Sequence, residues 1–247
     1  MKTVELSRRQ FLKGAGALVV SFNIFPTSAD LFAQSAAFPS GDLDPRSLDS
    51  WLGIAPDGTI TFFTSKVEIG TGIQTALAQI VAEELDVSFQ QVKIDSGDTA
   101  KSVEQGSTTG SRTIERAGPQ VRQAAAAARQ ELLKLASTRL GVPIDKLTVQ
   151  EGIVSVVGDP SKKVSYGQLI GGKRFDVKIT ATGTGMEMKV APEVRVKDPK
   201  NYKIVGTSVA RSELPAKVTG EYSYTHDLRI PGMLHGRVVR PPVINTE

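Results

Sequence analysis

The stretch TITFFTSKVEIGTGIQTALAQIVAEEL, residues 59–85, decides the fold of this chain. Its β-branched and aromatic beginning, residues 59–64, predicts a strand that follows a Pro-Asp-Gly turn. Gly70-Thr71-Gly72 ends this strand. Apolar residues then recur at helical spacing from Ile73 to about Leu85, so a helix is expected directly after the glycine turn.

The residues that follow continue this alternation of strand and helix. Residues 92–95 predict a second strand, and a polar loop extends from Thr99 to Thr113. A long helix comes next and is ended by Gly141. Its apolar stripe consists of Ala117, Val121, Ala124, Ala128, Leu132 and Leu135. The order strand–helix–strand–long helix predicts a mixed α/β domain.

Four parts are predicted along the chain. Residues 1–35 are interpreted as a leader, and residues 36–49, rich in Pro, Gly, Ser and Asp, as a linker. Residues 50–200 form the α/β domain, with short strands and turns from 147 onward. Residues 201–247 are again strand-like and rich in turns. The expected fold class is α+β.

The composition excludes several classes of function. The 247 residues carry a net charge of +4, which falls to +2 without the leader, so no basic patch points to nucleic acid. The absence of cysteine excludes disulfides, thiol nucleophiles and iron–sulfur clusters held by this chain. His226 and His235 alone make a poor metal site, so no protein-ligated metal is predicted.

Near its start the leader contains Ser7-Arg8-Arg9-Gln10-Phe11-Leu12-Lys13. The apolar stretch that follows is too short and too rich in glycine to span a membrane. An ordinary secretory leader and a basic N-terminal arm are the alternatives. The pair Arg8-Arg9 before Phe11-Leu12-Lys13 resembles the bacterial twin-arginine signal. Such signals serve proteins that fold before export, so a periplasmic protein with a cofactor acquired in the cytoplasm is expected.

Two loops are candidates for ligand binding. In the first, Glu68–Thr75, glycines allow close approach of a ligand, and the free amides of a helix start favour an anionic or carbonyl-rich ligand. In the second, Gln105–Thr113, hydroxyls and one guanidinium are suited to a polar cofactor. The alternatives are a tight turn for the first loop and a solvated loop for the second, with Thr113 as the helix N-cap.

Taken together and in order, these segments resemble the molybdopterin-binding large subunit of the xanthine dehydrogenase family. The resemblance rests on residues 68–75, 79–85 and 97–99 and on Thr109-Gly110-Ser111-Arg112-Thr113. Residues 211–241 are similar to the start of the α/β hammerhead domain of that family. With the leader, the arrangement resembles the branch of the family that contains the isoquinoline 1-oxidoreductase β-subunit.

The resemblance implies a chemistry and a site. The family hydroxylates an electron-poor carbon at a molybdenum centre with oxygen from water, a glutamate base and electron exit through iron–sulfur clusters. It implies that Gly70, Thr71 and Gly72 contact a molybdopterin cofactor, expected in its cytosine dinucleotide form, from one side. Thr109, Gly110, Ser111 and Arg112 would contact the same cofactor from the second loop. The implied partners are a small N-heterocyclic or aldehyde substrate, a [2Fe-2S] subunit, a cytochrome acceptor and the twin-arginine translocase.

The sequence also departs from the family pattern. Thr71 stands where the family usually has glutamine. The catalytic glutamate of the family belongs to a C-terminal motif that this stretch does not reach, so no catalytic residue is assigned and this chain alone is expected to be inactive. Glu68, Glu83 and Glu84 do not occupy its position, and the last two are interpreted as exposed. A non-catalytic exported module or truncated product with the same fold is the alternative; a nicotinamide dehydrogenase is disfavoured because a third glycine is missing.

Overall fold

The computed structural model describes residues 43–240. Its first layer is a three-stranded sheet, in the order β1 (Leu52–Ile54), β2 (Ile60–Thr64) and β3 (Val92–Ser96). β1 and β2 are antiparallel, whereas β2 and β3 are parallel, with Ile60 opposite Val92. Helix α1 (Ile73–Leu85) connects the two parallel strands. The predicted strand–helix–strand order is therefore confirmed.

The long helix begins with an unpredicted feature. A π-helical turn, Thr113–Ala117, precedes helix α2 (Gly118–Leu140). Thr113 lies inside that turn, and the cap position belongs to Arg112, so the interpretation of Thr113 as N-cap was wrong. The C-terminal prediction is confirmed, because Gly141 ends the helix with φ 69°. That left-handed conformation is one that glycine adopts without steric cost.

The second half of the predicted α/β domain forms two small sheets and one helix. An antiparallel meander joins β4 (Leu147–Gln150), β5 (Ile153–Val156) and β6 (Asp159–Ser165). The short helix α3 (Tyr166–Ile170) follows β6 and was not predicted. Its start is stabilised by a reciprocal pair of bonds between Ser165 and Gln168. β7 (Ala181–Thr182) and β8 (Lys189–Val190) complete the strands.

One hydrophobic core lies between the first sheet and the helices. α1 and α2 pack against each other, and the five consecutive alanines 124–128 of α2 are all buried. Trp51 is fully buried, and its Nε1 donates to the Pro45 carbonyl oxygen at 2.9 Å. Leu48 is fully buried as well, so residues 43–49 of the predicted linker belong to the packed body. The other linker residues and the leader lie outside the described residues.

Residues 202–240 differ from their predicted strand content. Over this range the structure contains the helix α4 (Leu214–Thr219) and a 3₁₀ turn at Thr225–Asp227, but no strand. Pro215 lies in the first turn of α4, where its missing N–H costs nothing, and Gly220 ends the helix with φ 80°. Strands require paired neighbours, and none of the strands described within residues 43–240 pairs with this segment.

Short 3₁₀ turns connect the remaining elements, at Leu48–Ser50, Phe89–Gln91, Ile144–Lys146, Gly185–Glu187 and Pro199–Asn201. Within residues 43–240, no helix has both the length and the apolar character needed to cross a bilayer. The mixture of helices and mainly antiparallel sheets is the predicted α+β class.

Candidate functional site

The first predicted loop forms an open turn at the start of α1. Gly70 has φ 93° and Gly72 has φ 77°, both in the left-handed region. Thr71, between them, is exposed. A Cβ added to Gly70 would meet no atom within 4 Å, so the surface beside this residue is open to a ligand. Glycine is therefore required at position 70 by backbone conformation rather than by crowding within the chain.

The amides of this turn are not free, contrary to the sequence expectation. The Glu68 carboxylate accepts hydrogen bonds from the backbone N–H groups of Gly70 at 2.8 Å, Gly72 at 2.9 Å and Gln74 at 3.3 Å. The Glu68 side chain is only 2% exposed. It thus acts as a built-in anion at the positive end of α1. An incoming ligand must use the outer side of the turn, through the Thr71 hydroxyl and the backbone carbonyls.

Glu68 is held in its ionised form. Burial alone would raise the pKa of Glu68, but the hydrogen bonds from the Gly72 and Gln74 amides outweigh burial and keep this pKa below its ordinary value. The carboxylate is therefore charged at neutral pH. It is unsuited to act as a general base, because its lone pairs are already used by the turn.

A later segment covers the inner side of the same turn. The Arg211 guanidinium lies over Gly72, where an added Cβ would be 3.3 Å from Arg211 Nε. Arg211 Nη2 is 3.8 Å from Glu68 Oε1, and the Ser212 amide donates to Thr75 Oγ1 at 3.0 Å. Arg211 Nε also donates to the buried Glu213 carboxylate at 2.8 Å. Residues 211–213 thus fix the inner wall of the turn.

The second predicted loop ends in a tight turn at Thr109–Arg112. The Arg112 amide donates to the Thr109 carbonyl oxygen at 3.2 Å, and Gly110 and Ser111 have φ 59° and 57°. Two successive left-handed residues define a type I′ turn. Ser111 adopts this conformation without the freedom of glycine, which stores strain of the kind found at ligand-binding positions. All four residues are exposed.

The two loops are joined at their bases. Lys66 Nζ donates to the carbonyl oxygens of Gly106 at 2.7 Å and Ser107 at 3.0 Å. The Val67 amide donates to Thr108 Oγ1 at 3.0 Å. The chain between β2 and the first turn therefore lies against the chain that leads to the second turn. The sequence-predicted site residues belong to two neighbouring loops, each of which leaves its outer side open.

Glu83 and Glu84 were predicted to be exposed, and this prediction was wrong. Each residue is only 2% exposed. Glu83 Oε2 accepts from the amides of Lys203 at 2.8 Å, Ile204 at 2.6 Å and Val205 at 3.1 Å. Residues 197–205 cover this end of α1. Since they lie more than 110 positions downstream, helical periodicity alone could not reveal the burial.

A cluster of ionic bonds surrounds these two glutamates. Lys197 Nζ lies 3.0 Å from Glu83 Oε1 and 2.7 Å from Asp86 Oδ1. Glu84 Oε1 accepts from Arg122 Nε at 2.7 Å. The pKa of Glu83 is raised by burial but lowered more strongly by the amides of Ile204 and Val205, so the net direction is downward. We refer to Glu83, Glu84, Asp86, Arg122 and Lys197 as the distal cluster.

Lys66 lies outside the two predicted loops and had not been singled out, whereas Glu68 and Gln105 were predicted as loop residues without their bonding roles. One signal was present for Lys66: it shares strand parity with Ile60, Phe62 and Thr64, which are buried. For Glu68, the signal was an acidic residue just before a glycine turn and a helix. His226 and His235 are exposed, in keeping with their interpretation as surface or turn residues. No group of three or more His, Asp or Glu side chains within 43–240 is placed to hold a metal ion.

Two open polar loops thus lie side by side at one end of a strand–helix–strand unit. Residues 2–224 match the family model of the molybdopterin cofactor-binding domain. The chain therefore belongs to the molybdopterin-binding subunits of the xanthine dehydrogenase family.

Two relatives with sequence identities of 30% or more are oxidoreductase subunits. The chain is 37% identical over 236 residues to a nicotinate dehydrogenase subunit of Pseudomonas putida, covering 96% of this chain and 18% of that protein. It is 30% identical over 272 residues to the beta subunit of isoquinoline 1-oxidoreductase of Brevundimonas diminuta, covering 98% of this chain and 34% of that protein. The chain thus spans a fifth to a third of these relatives.

A solved structure also matches. Quinoline 2-oxidoreductase from Pseudomonas putida 86 aligns with a TM-score of 0.43 and 26% identity, over 56% of this chain and 19% of that chain.

Proposed function

We propose that this chain supplies the first cofactor-contacting part of a molybdenum-dependent hydroxylase that oxidises an N-heteroaromatic compound or an aldehyde. The observation that carries the proposal is the pair of neighbouring open loops, Gly70–Gly72 and Thr109–Arg112, fixed at their bases and exposed at their tips. Two relatives carry the names of nicotinate and isoquinoline, and both compounds are N-heteroaromatic.

The residues fit a bound molybdopterin. Open space beside Gly70 admits a flat ring system, and the exposed hydroxyls of Thr71, Thr109 and Ser111 offer donors and acceptors along it. The exposed Arg112 guanidinium is suited to phosphate. When bound, the group supplies the two-electron chemistry of hydroxylation, for which we propose water as the oxygen source. The protein groups contribute by orienting the group and by excluding water from its buried side.

The proton transfer of such a reaction needs a base that these residues do not supply. The carboxylates of Glu68, Glu83 and Glu84 are buried and engaged in hydrogen bonds. We therefore propose that residues 1–247 alone are inactive and that the base comes from another part of the full assembly. The electrons would leave through a [2Fe-2S] partner subunit and then a cytochrome, because this chain has no cysteine to hold a cluster.

We further propose export of the loaded complex to the periplasm by the twin-arginine translocase. Support comes from Arg8-Arg9 in the leader and from the requirement that a large cofactor be inserted before export. Replacing both residues, Arg8→Lys with Arg9→Lys, is expected to retain the protein in the cytoplasm. Fractionation with a reporter of each compartment measures this, and unchanged periplasmic recovery would rule out this route.

The proposed activity is tested on the gene expressed with its neighbours in its native host. The purified complex is analysed for molybdenum by mass spectrometry and for cytidine monophosphate after acid hydrolysis. We expect about one of each per subunit, in line with the proposed cytosine dinucleotide form. A folded complex without molybdenum or pterin would favour the alternative, a non-catalytic exported module. Molybdenum without cytidine would contradict only the dinucleotide form.

A further inference from the structure

Lys66 is an unusual buried cation between the two loops. The residue is only 1% exposed, and no carboxylate of residues 43–240 lies within 4.0 Å of its ammonium group. Lysine is almost never fully buried without a charged partner. Burial lowers the pKa of Lys66, and the more distant Glu104 offsets this only in part. Burying a lysine ammonium group without a carboxylate partner costs free energy.

The bonds of Lys66 show what the ammonium group holds. It donates to the carbonyl oxygens of Gly106 at 2.7 Å and Ser107 at 3.0 Å, three and two residues before Thr109. Neither carbonyl belongs to a strand or a helix, so the Lys66 ammonium group supplies a donor that no backbone ladder provides. One side chain therefore fixes the direction in which the chain enters the second turn.

Neighbouring bonds extend this contact on both sides of Lys66. The backbone N–H of Gln105 donates to Ser65 Oγ at 3.0 Å, and the backbone N–H of Val67 donates to Thr108 Oγ1 at 3.0 Å. Gln105 itself is fully buried and accepts from Thr64 Oγ1 at 2.5 Å. Residues 64–67 and 105–108 thus run side by side through side-chain bonds, with Lys66 at their centre.

We propose that Lys66 is a positioning residue that sets the second cofactor loop, Thr109–Arg112, relative to the first, Gly70–Gly72. This inference rests on the proposed function, since the loops have to meet one ligand. Lys66 acts through the carbonyls of residues 106 and 107 and is assigned no contact with the ligand. Precise placement matters because displacement of supporting groups by about 1 Å is enough to impair a site.

The chain offers a matched control in Lys197. Like Lys66, its ammonium group is largely buried, with the side chain 15% exposed, and it donates to a backbone carbonyl, that of Glu83. It belongs to the distal cluster, at the opposite end of α1. Lys197 differs from Lys66 in having two carboxylate partners, Glu83 and Asp86, so Lys197→Met tests the general effect of losing a buried cation without touching either loop.

The test compares Lys66→Met with Lys197→Met in the full-length complex. Hydrogen–deuterium exchange, measured on peptides covering residues 105–113, reports on the loop whether or not cofactor is present. We expect exchange at these amides to be at least about tenfold faster in Lys66→Met, since opening becomes easier when the anchoring bonds are lost. In Lys197→Met these amides should exchange as in the wild type. Equal exchange in Lys66→Met and wild type would overturn the proposal.

The second readout is cofactor occupancy of the folded protein. We expect molybdenum and pterin content per folded Lys66→Met subunit to fall at least about tenfold, while Lys197→Met keeps wild-type content. If Lys66→Met loads fully, Lys66 has no positioning role even though the proposed function stands. If wild type carries no cofactor, the proposed function fails, whereas the exchange measurement still decides the role of Lys66.

A milder variant keeps the proposal testable should Lys66→Met not fold. Thr108→Val has nearly the same shape but removes the acceptor of the Val67 amide. We expect about threefold faster exchange over residues 105–113 and a partial loss of cofactor, because one of the cross-bonds between the loops is lost. Wild-type exchange and loading in Thr108→Val, together with a folded and loaded Lys66→Gln, would refute the proposal.

Discussion

At each end of α1 a buried glutamate accepts hydrogen bonds from backbone amides, but the amides come from different parts of the chain. At the start of the helix, the Glu68 carboxylate accepts three backbone amides that lie two to six residues away. At its end, the Glu83 carboxylate also accepts three backbone amides, but these lie 120 to 122 residues away. Both side chains are 2% exposed. The same chemical device thus shapes a local turn at one end and anchors a distant segment at the other.

This difference suits the start of α1 to ligand binding and the end of α1 to stabilising the fold. Glu68 consumes the inward amides of the glycine turn and leaves the exposed side, with Thr71, available to a ligand. Glu83 sits in the distal cluster, where Lys197 forms ionic bonds with both Glu83 and Asp86. We therefore expect substitutions at the distal end to lower the free energy of global unfolding while leaving the folded loops ordered, and substitutions at the loop end to change local order.

The strongest challenge to this comparison is Glu83→Gln. The neutral side chain removes the charge that accepts three backbone amides, and it breaks the buried ion pair with Lys197, which is left with Asp86 as its carboxylate partner. We expect the free energy of unfolding to fall by about 3–5 kcal/mol, as for other broken buried ion pairs. Urea unfolding of the purified protein measures this. Glu115→Gln, whose side chain is 65% exposed, should change stability by less than about 1 kcal/mol. A loss at Glu83 no larger than that of the control would contradict an anchoring role.

Protonating Glu83 by lowering the pH should reduce the free energy of unfolding by less than Glu83→Gln does. The protonated acid keeps its place and still accepts hydrogen bonds through its carbonyl oxygen. The pKa of Glu83 is lower in the folded state than in the unfolded state, where it is about 4.3. Its contribution is therefore fully present above the unfolded pKa and is lost as the pH falls through the folded pKa. Urea unfolding repeated at decreasing pH should show a shallower decline for Glu83→Gln than for wild type; parallel curves would show that Glu83 does not contribute to acid sensitivity.

At the other end, Glu68→Gln should cost less. The side-chain oxygen of glutamine can still accept from the Gly70 and Gly72 amides but lacks the charge that strengthens these bonds, so a loss of about 1–3 kcal/mol is expected. Amide exchange should accelerate over residues 69–74 while residues 197–205 exchange as before. Acceleration at both ends would show that the two carboxylates are coupled, and the comparison would fail.

The smallest expected effect concerns the second turn. Ser111→Gly relieves the left-handed strain at φ 57°, which costs a non-glycine residue about 1–2 kcal/mol. Glycine offsets about 0.5–1 kcal/mol of this gain through its larger loss of backbone entropy on folding, so stability should rise by about 0.5–1 kcal/mol. Thermal unfolding detects the change. Ser137→Gly, inside helix α2, should lower stability by a similar amount. A decrease for Ser111→Gly would show that the serine side chain has a stabilising contact that outweighs the strain.

Much of the fold could be predicted from periodicity. The bounds of β2, α1 and β3 follow from alternation and helical spacing, because their neighbours along the chain supply the packing surfaces. The burial of Glu83 and Glu84 could not be predicted in this way. Their covering residues come from positions 197–205, in a segment without regular periodicity, and a charged residue on a helix is ordinarily solvated.

The two candidate loops were predictable in their position along the chain and less so in their bonding. Gly70, Gly72, Thr109 and Ser111 identify two loops by composition, and the structure brings those loops together. The direction of the amides was not predictable, because it depends on whether Glu68 folds back into the turn. The role of Lys66 depends on carbonyls 40 residues away, which leave no local pattern in the sequence.

The remote partners of Glu83 also impose an order on events during synthesis. The glycine turn is closed by a carboxylate that precedes it, so it can form as soon as α1 emerges from the ribosome. The distal end must wait for 120 more residues, about 6–24 s at common bacterial elongation rates. Until then, two acidic side chains that are later buried remain in water, which keeps the growing chain hydrated and delays its final compaction until residues 203–205 arrive.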